Sequence, residues 1–372
     1  MITALSTIAK FSNGKKKGDS IGNIPVYGGN GIFDYTNEAN SENCVIIGRV
    51  GAYCGSIHYE PRKCWVSDNA IRCEAKPGAD IRFLYYLLKG MKLDHRRIGT
   101  SQPLLTQGIL NAIELDNVPN IDKQKTIADL LWAFDLKNAV NREVNDYLFE
   151  CCTAKMRNIV HGAIEKMVVD DCCEAIYSGG TPSTKKIEYW NGDLPWLSSG
   201  ETRSRFIIDT EKTITELGVS KSSTKLAKTG DVVMASAGQG LTRGQTSMLF
   251  LDTYVNQSIV VMRPKKNYSA YLLLMLAAQY DSLRAWSDST STRGSMSGKL
   301  LRQFEIARIS DEQAQELERF CAPMFAMIEN NLRENKALAE TRDSLLPKLM
   351  SSEIDVSEVE LATPPNNHLC VD

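Results

Sequence analysis

Two short segments hold the residue types most able to do chemistry. Ser12-Asn13-Gly14-Lys15-Lys16-Lys17-Gly18 and Thr181-Pro182-Ser183-Thr184-Lys185-Lys186 mix lysine with hydroxyl side chains in turn-forming sequence. Lysine charge, hydroxyls and loop N–H groups are what meet phosphate oxygens. Arg49, Arg203, Gln239 and Arg243 are of the types that read guanine and adenine edges bidentately, and Asn30 stands in a comparable glycine-rich turn. Arg96-Arg97-Ile98-Gly99-Thr100-Ser101-Gln102 and Ser289-Thr290-Ser291-Thr292-Arg293-Gly294-Ser295 form a third pair of basic, hydroxyl-rich loops at matching places in the two halves. For each of these residues singly, a solvated loop surface is the alternative.

Catalytic patterns are missing. The one double proline, Pro364-Pro365, is followed by Asn366 and lies near the end, so there is no Asn/Asp-Pro-Pro-aromatic loop of an adenine methyltransferase. Gly294-Ser295-Met296-Ser297-Gly298-Lys299 falls one residue short of a phosphate-binding loop and continues into Leu300. Asp68 with Glu74-Ala75-Lys76 is too loosely spaced for a nuclease triad and reads as surface charge. No His-Glu-x-x-His is present.

Composition narrows the class further. The 372 residues are 43% hydrophobic and 24% charged, ordinary values for a globular protein. Net charge of −2 and a pI near 6.2 exclude binding to nucleic acid through overall charge, so any such surface is local. The ten cysteines include two adjacent pairs and no Cys-x-x-Cys, which predicts reduced, packed thiols and no zinc site. The longest strongly apolar run, 271–278, is far below the roughly 20 residues that span a bilayer, and the start lacks a signal-peptide pattern; the expectation is a cytoplasmic protein with no membrane contact.

The elements that must position these residues come as a repeat. Val45-Ile46-Ile47-Gly48 to Ile71 answers to Val232-Val233-Met234-Ala235 to Ile259, each followed by an aromatic and leucine-rich helix, at an offset of about 190 residues. The fold class expected is α+β, with two β-rich domains and two long helices. The first β-rich unit is assigned to 1–118, a helix segment to 119–162, the second unit to 163–309, a second helix segment to 310–356 and a polar tail to 357–372. The first helix, 122–161, contains no proline or glycine and at about 1.5 Å per residue runs roughly 60 Å. The second is expected over 311–346.

Counting heptads through the helices gives a seam in each. The first passes through Leu131, Asn141, Asn145 and Leu148, the second through Ile328, Asn331, Asn335 and Leu338. The paired asparagines fall at equivalent places. Polar seam residues lower stability but fix register and orientation, which suits an internal antiparallel pair about a pseudo-twofold axis. The alternative is two helices that each pack only on their own domain.

Gly179-Gly180-Thr181-Pro182-Ser183-Thr184, continuing through Tyr189-Trp190-Asn191-Gly192-Asp193-Leu194-Pro195-Trp196 and Ser199-Gly200-Glu201, closely resembles the DNA specificity subunit of type I restriction-modification systems. Pro25-Val26-Tyr27-Gly28-Gly29-Asn30-Gly31 with Ile47-Gly48-Arg49-Val50-Gly51 resembles another variant of that family's target recognition domain, and Asp343-Ser344-Leu345-Leu346-Pro347-Lys348-Leu349-Met350 resembles the end of its second conserved helix. The resemblance covers nearly the whole chain, although less sequence precedes Ser12 than the family pattern implies.

The resemblance implies two target recognition domains carried by an antiparallel coiled coil, each reading one half of an asymmetric, interrupted double-stranded DNA sequence, with the helices setting the gap. It implies no catalysis in this chain: two DNA adenine methyltransferase subunits use S-adenosylmethionine, and restriction and translocase subunits use ATP and Mg. On that reading Lys15, Lys16, Lys17, Lys185 and Lys186 hold phosphates, Arg49, Arg203, Gln239 and Arg243 face base edges, and Asn30, Ser101, Gln102, Thr181, Ser183, Thr184, Thr292 and Arg293 complete the DNA surface. A free-standing methyltransferase or nuclease with unrecognised motifs and a coiled-coil interaction protein remain the alternatives.

Overall fold

The computed structural model describes residues 2–99, 103–237, 242–290, 295–356 and 359. The chain divides into two compact units, one formed by 1–141 with 334–372, the other by 142–333.

In the first unit, six strands lie in the order Ala9–Asn13, Ala70–Ala75, Ser41–Gly48, Ile57–Val66, Ile24–Gly28 and Gly31–Thr36. All neighbours are antiparallel except Ile24–Gly28 on Ile57–Val66, where Val26 faces Trp65. Ser41–Gly48 reads buried from Cys44 onward because both its faces are covered. One face carries a small core of Tyr27, Cys44, Ile46, Cys64, Val66 and Ala70. The other packs on helix Ile81–Gly90, whose start is capped by Asp80 accepting from the Phe83 N–H at 2.9 Å.

The second unit has three sheets, the smallest pairing Lys166–Val168 with Glu305–Ala307. One has five strands in the order Cys173–Ser178, Ile259–Pro264, Val232–Ala235, Thr246–Leu249 and Phe206–Ile207; another has four, Lys212–Ile214, Trp190–Leu197, Thr253–Val255 and Lys225–Ala227. The repeat is visible in pairing: Gly48 faces Ala70 in one unit and Ala235 faces Ile259 in the other. Helix Ser269–Ala278 is almost wholly buried, as its unbroken apolar run requires.

The long helices span Ile121–Ile159 and Asp311–Met350. The first ends two residues earlier than its sequence suggests, in a turn where Gly162 takes a φ of +75°. The second runs four residues further, through Pro347. Pro323 and Pro347 are tolerated because both lie on the exposed side, where the carbonyl that each leaves unbonded meets water.

Within each unit the helix segments pair antiparallel. In the first, Asn141 Nδ2 donates to Asn335 Oδ1 at 2.8 Å and to Glu334 Oε2 at 2.7 Å. In the second, Asn331 Nδ2 donates to Asn145 Oδ1 at 2.8 Å. Leu131 and Ile328 are buried, while Leu148 and Leu338 are half-buried. Continued past Leu148, the count passes through Cys152, which is buried, and Lys155, which pairs with Glu316 at the rim, while Phe149 and Met156 beside them are buried in the core. A straight helix has 3.6 residues per turn, not 3.5, and over several turns the buried side moves. The helices also pack on the domain: Ile127, Ala128, Leu131, Leu346 and Leu349 share one core with Leu84 and Leu88 of helix Ile81–Gly90 and with Val45 and Ile47 of the sheet. Pairing and packing on the domains therefore coexist, and the two alternatives were not exclusive.

The nine described cysteines are free, and Cys151 alone among them is exposed. No described helix is long and apolar enough to cross a membrane.

Candidate nucleic-acid interface

In the first unit several loops converge at one end. The Gly14 and Lys15 N–H groups donate to the carbonyls of Ala70 and Val66 at 3.0 Å each, and Trp65 Nε1 donates to the Lys15 carbonyl at 2.9 Å. This backbone stapling leaves the Lys15 and Lys16 side chains exposed. Lys17 differs: its ammonium lies 2.6 Å from Asp34 and its side chain is only 17% exposed, so its charge is spent within the protein and not on a phosphate.

Asn30 is exposed in the turn that joins Ile24–Gly28 to Gly31–Thr36. That turn is anchored through the Gly29 carbonyl, which accepts from Ser56 Oγ and lies 3.4 Å from His58 Nε2. Arg49 directly follows the central strand, with its N–H on the Asn69 carbonyl at 3.0 Å and Nη1 on the Asp68 carbonyl at 3.4 Å. Ser101 and Gln102 lie outside the described residues. Glu74 pairs with Lys10 and Arg72, so it does not converge with Asp68 and Lys76.

In the second unit the Thr181 loop is held by two tryptophans. Trp196 Nε1 donates to the Gly180 carbonyl at 3.4 Å and Trp190 Nε1 to the Ser183 carbonyl at 3.2 Å, with the rings edge to face at 4.9 Å. Gly180 must be glycine, because a methyl there would sit 2.7 Å from the Ser223 backbone carbonyl carbon and 2.9 Å from the Thr224 nitrogen. Thr181 Oγ1 bonds to Gln257, while Ser183, Thr184, Lys185 and Lys186 stand exposed, Lys186 within 3.4 Å of Glu188. The aromatics thus position the loop and do not offer stacking faces.

Two arginines separate from that loop. Arg203 is exposed on the turn Glu201–Arg203 and lines an open groove of about 1010 Å³ with Arg142, Arg205, Asp146 and Phe149. Arg243 is buried at 4% exposure and its guanidinium lies 2.7 Å from Asp288. A guanidinium so enclosed does not present a fork to a base edge; the structure makes Arg243 an internal ion-pair partner. Gln239, Thr292 and Arg293 fall outside the described residues.

Sequence reasoning missed the exposed apolar residues at the loop end of the first unit. Phe33 is 62% exposed and Tyr53 53%, with Ile32 and Tyr35 also exposed. Ile32, Phe33 and Tyr35 stand on strand Gly31–Thr36, which ends the sheet and so has one flank uncovered, and nothing in the local sequence marks it as an edge. Among the described residues no group of three or more His, Cys, Asp or Glu side chains could hold a metal ion.

This architecture, two β-rich units each with a loop end and a share of two long helices, is what known proteins match. The family model described as the type I restriction modification DNA specificity domain matches twice, over 6–148 and 163–315, and the chain belongs to that family. It is 33% identical over 118 residues to the type I restriction enzyme EcoprrI specificity subunit of Escherichia coli, covering 31% of this chain and 29% of that relative. It is 27% identical over 169 residues to the MjaIX specificity subunit of Methanocaldococcus jannaschii, covering 44% and 38%. The aligned part is thus about a third of each relative. The crystal structure of a type I restriction-modification system S subunit from M. genitalium shares the fold, with a TM-score of 0.62 at 15% identity over 94% of this chain and 95% of that one.

Proposed function

We propose that this chain is a non-catalytic DNA specificity subunit. It reads a bipartite, asymmetric duplex sequence through its two loop ends and scaffolds two DNA adenine methyltransferase subunits and restriction subunits in the cytoplasm. The observation that carries this reading is the double match to the family's DNA specificity domain, each match covering one β-rich unit and reaching into one long helix. The helix repeat is close, down to equivalent asparagine pairs, and offers two like partners equivalent surfaces. The loop ends repeat only in outline, which suits two unlike half-sites. S-adenosylmethionine, ATP and Mg belong to the partner subunits on this reading, since the sequence carries no motif for them.

Two incubations test it. The chain purified with its methyltransferase subunits is expected to retain a specific duplex, and the isolated chain with DNA, magnesium and S-adenosylmethionine to transfer no methyl group. Methyl transfer or cutting by the chain alone would make it an enzyme. Failure of the complex to retain any duplex would make it an interaction protein.

A further inference from the structure

Strand Phe206–Ile207 ends the five-stranded sheet of the second unit and lines the open groove on which Arg203 also stands. Every residue that lines this groove belongs to the second unit. The Arg205 and Ile207 carbonyls accept from the Met248 and Phe250 N–H groups at 2.9 and 2.8 Å. The N–H and carbonyl of Phe206, between them, therefore point to the flank where the sheet has no further strand.

Two enclosed polar atoms of the lining lack partners. Thr246 is only 5% exposed, and its hydroxyl makes no hydrogen bond; the side-chain oxygen of Gln245 makes none either. Such groups are costly unless something supplies the missing bond. Arg203 is held at the rim by a preformed turn. Glu201 accepts from the Ser198 N–H and hydroxyl and from the Glu211 N–H at 2.8 Å each, and Thr202 Oγ1 donates to the Ser199 carbonyl at 2.9 Å. Arg203 Nε donates to the Gly200 carbonyl at 2.9 Å, and no carboxylate among the described residues pairs with its guanidinium. Arg205 differs, with its guanidinium over the Phe149 ring and 3.5 Å from Asp146.

Three needs thus meet in one groove: an acid for Arg203, a hydrogen-bond donor for Gln245 and a partner for an open strand edge. A polypeptide in extended form supplies all three, through its backbone and one acidic side chain. The DNA backbone does not suit the groove, because four carboxylates line it against three arginines.

We infer that this groove docks an extended, acidic segment of a methyltransferase subunit. The segment adds a strand to Phe206–Ile207, places a carboxylate on Arg203 and satisfies Gln245 and Thr246. The inference rests on the scaffold role above, and it moves Arg203 from the base edges to the partner.

The test is sedimentation of the full chain with its methyltransferase subunits in the absence of DNA, with a photo-activated cross-linker placed at exposed Ser204. The cross-link is expected on an acidic segment of a methyltransferase subunit. Arg203→Ala is expected to weaken binding of one of the two subunits about 10- to 100-fold, as for a hydrogen-bonded charge, and to leave the other unchanged. Thr246→Val, which removes the hydroxyl in a similar shape, should weaken the same subunit about fivefold. It should also raise the melting temperature of the chain alone, which no longer buries an unpaired hydroxyl; a purely structural hydroxyl would lower it. Unchanged affinity in both variants would overturn the proposal, as would a cross-link that forms only to added duplex DNA or only to a second copy of this chain. A wild-type chain that binds no methyltransferase subunit would instead remove the scaffold role, and this docking site with it.

Discussion

Asp135 and Arg342, 207 residues apart in sequence, form a buried ion pair inside the first unit, where the two long helices meet. Asp135 is 3% and Arg342 14% exposed at the side chain. The Tyr86 hydroxyl, on helix Ile81–Gly90, donates to the same carboxylate at 2.7 Å, and burial with the Asp135 charge holds that hydroxyl well above its usual pKa, so it remains a donor. One carboxylate thus ties both long helices to the helix that covers the sheet. At the equivalent place in the second unit stand Cys152 and Phe325, both buried in one apolar core.

Removing one partner should therefore be costly. Arg342→Met leaves Asp135 buried without its cation, and the expected loss is about 3–5 kcal/mol. Asp135→Leu combined with Arg342→Met and with Tyr86→Phe, which removes the hydroxyl that would lose its acceptor, should recover most of it, since a buried pair is rarely better than a well-packed apolar one. Thermal unfolding of the single and triple variants checks this, and equal losses in both would show that the charge itself is not the cause.

The asparagine pairs should behave differently. Asn141→Leu together with Asn335→Leu is expected to raise the melting temperature while giving mixed oligomers, because the pair is proposed to fix register at the expense of stability. Light scattering after size exclusion reads the second effect. A more stable variant of unchanged oligomeric state would mean that register is set elsewhere.

Charge removal should sort the arginines and lysines. Lys15→Ala is expected to weaken binding alike on all sequences and to reduce the salt slope of log affinity by about 0.9. Arg243→Ala should cost about 1–3 kcal/mol of stability through its lost bond to Asp288 and leave base preference unchanged. A base-specific loss in Arg243→Ala would return that residue to the interface.

Stability of the second unit should carry one acid-dependent contribution. Glu318 accepts from the Ala270 N–H at 2.9 Å, and burial, opposed by that bond, raises its carboxyl above the ordinary 4.5. The folded state then holds the proton more tightly than the unfolded one. The contribution is present below pH 4.5 and is lost as pH rises through the raised value. Glu318→Gln keeps an oxygen for Ala270, so it should match the wild type in acid and exceed it at neutral pH. A gap that is constant across pH would contradict this.

Much of the frame was legible in the sequence. Absence of glycine and proline with helical spacing gave the first long helix to within two residues, and the paired asparagines could be read from their equal offsets. Side-chain fates were less legible. Arg342 and Asp135 are 207 residues apart, so a pair that meets only in three dimensions was invisible. Arg243 looked like a loop cation because nothing in local sequence shows that Asp288 will meet it. The exposure of Phe33 and Tyr35 was not legible because local sequence does not say which strand ends a sheet.

The central claim, that this chain chooses the DNA sequence for a methyltransferase, has a direct test. The chain is expressed with its methyltransferase subunits in a host without a related system, and methylated adenines are mapped across the genome. The account predicts a single bipartite, asymmetric motif that is absent without this chain. Methylation that persists unchanged without the chain, or that follows no bipartite motif, would contradict it.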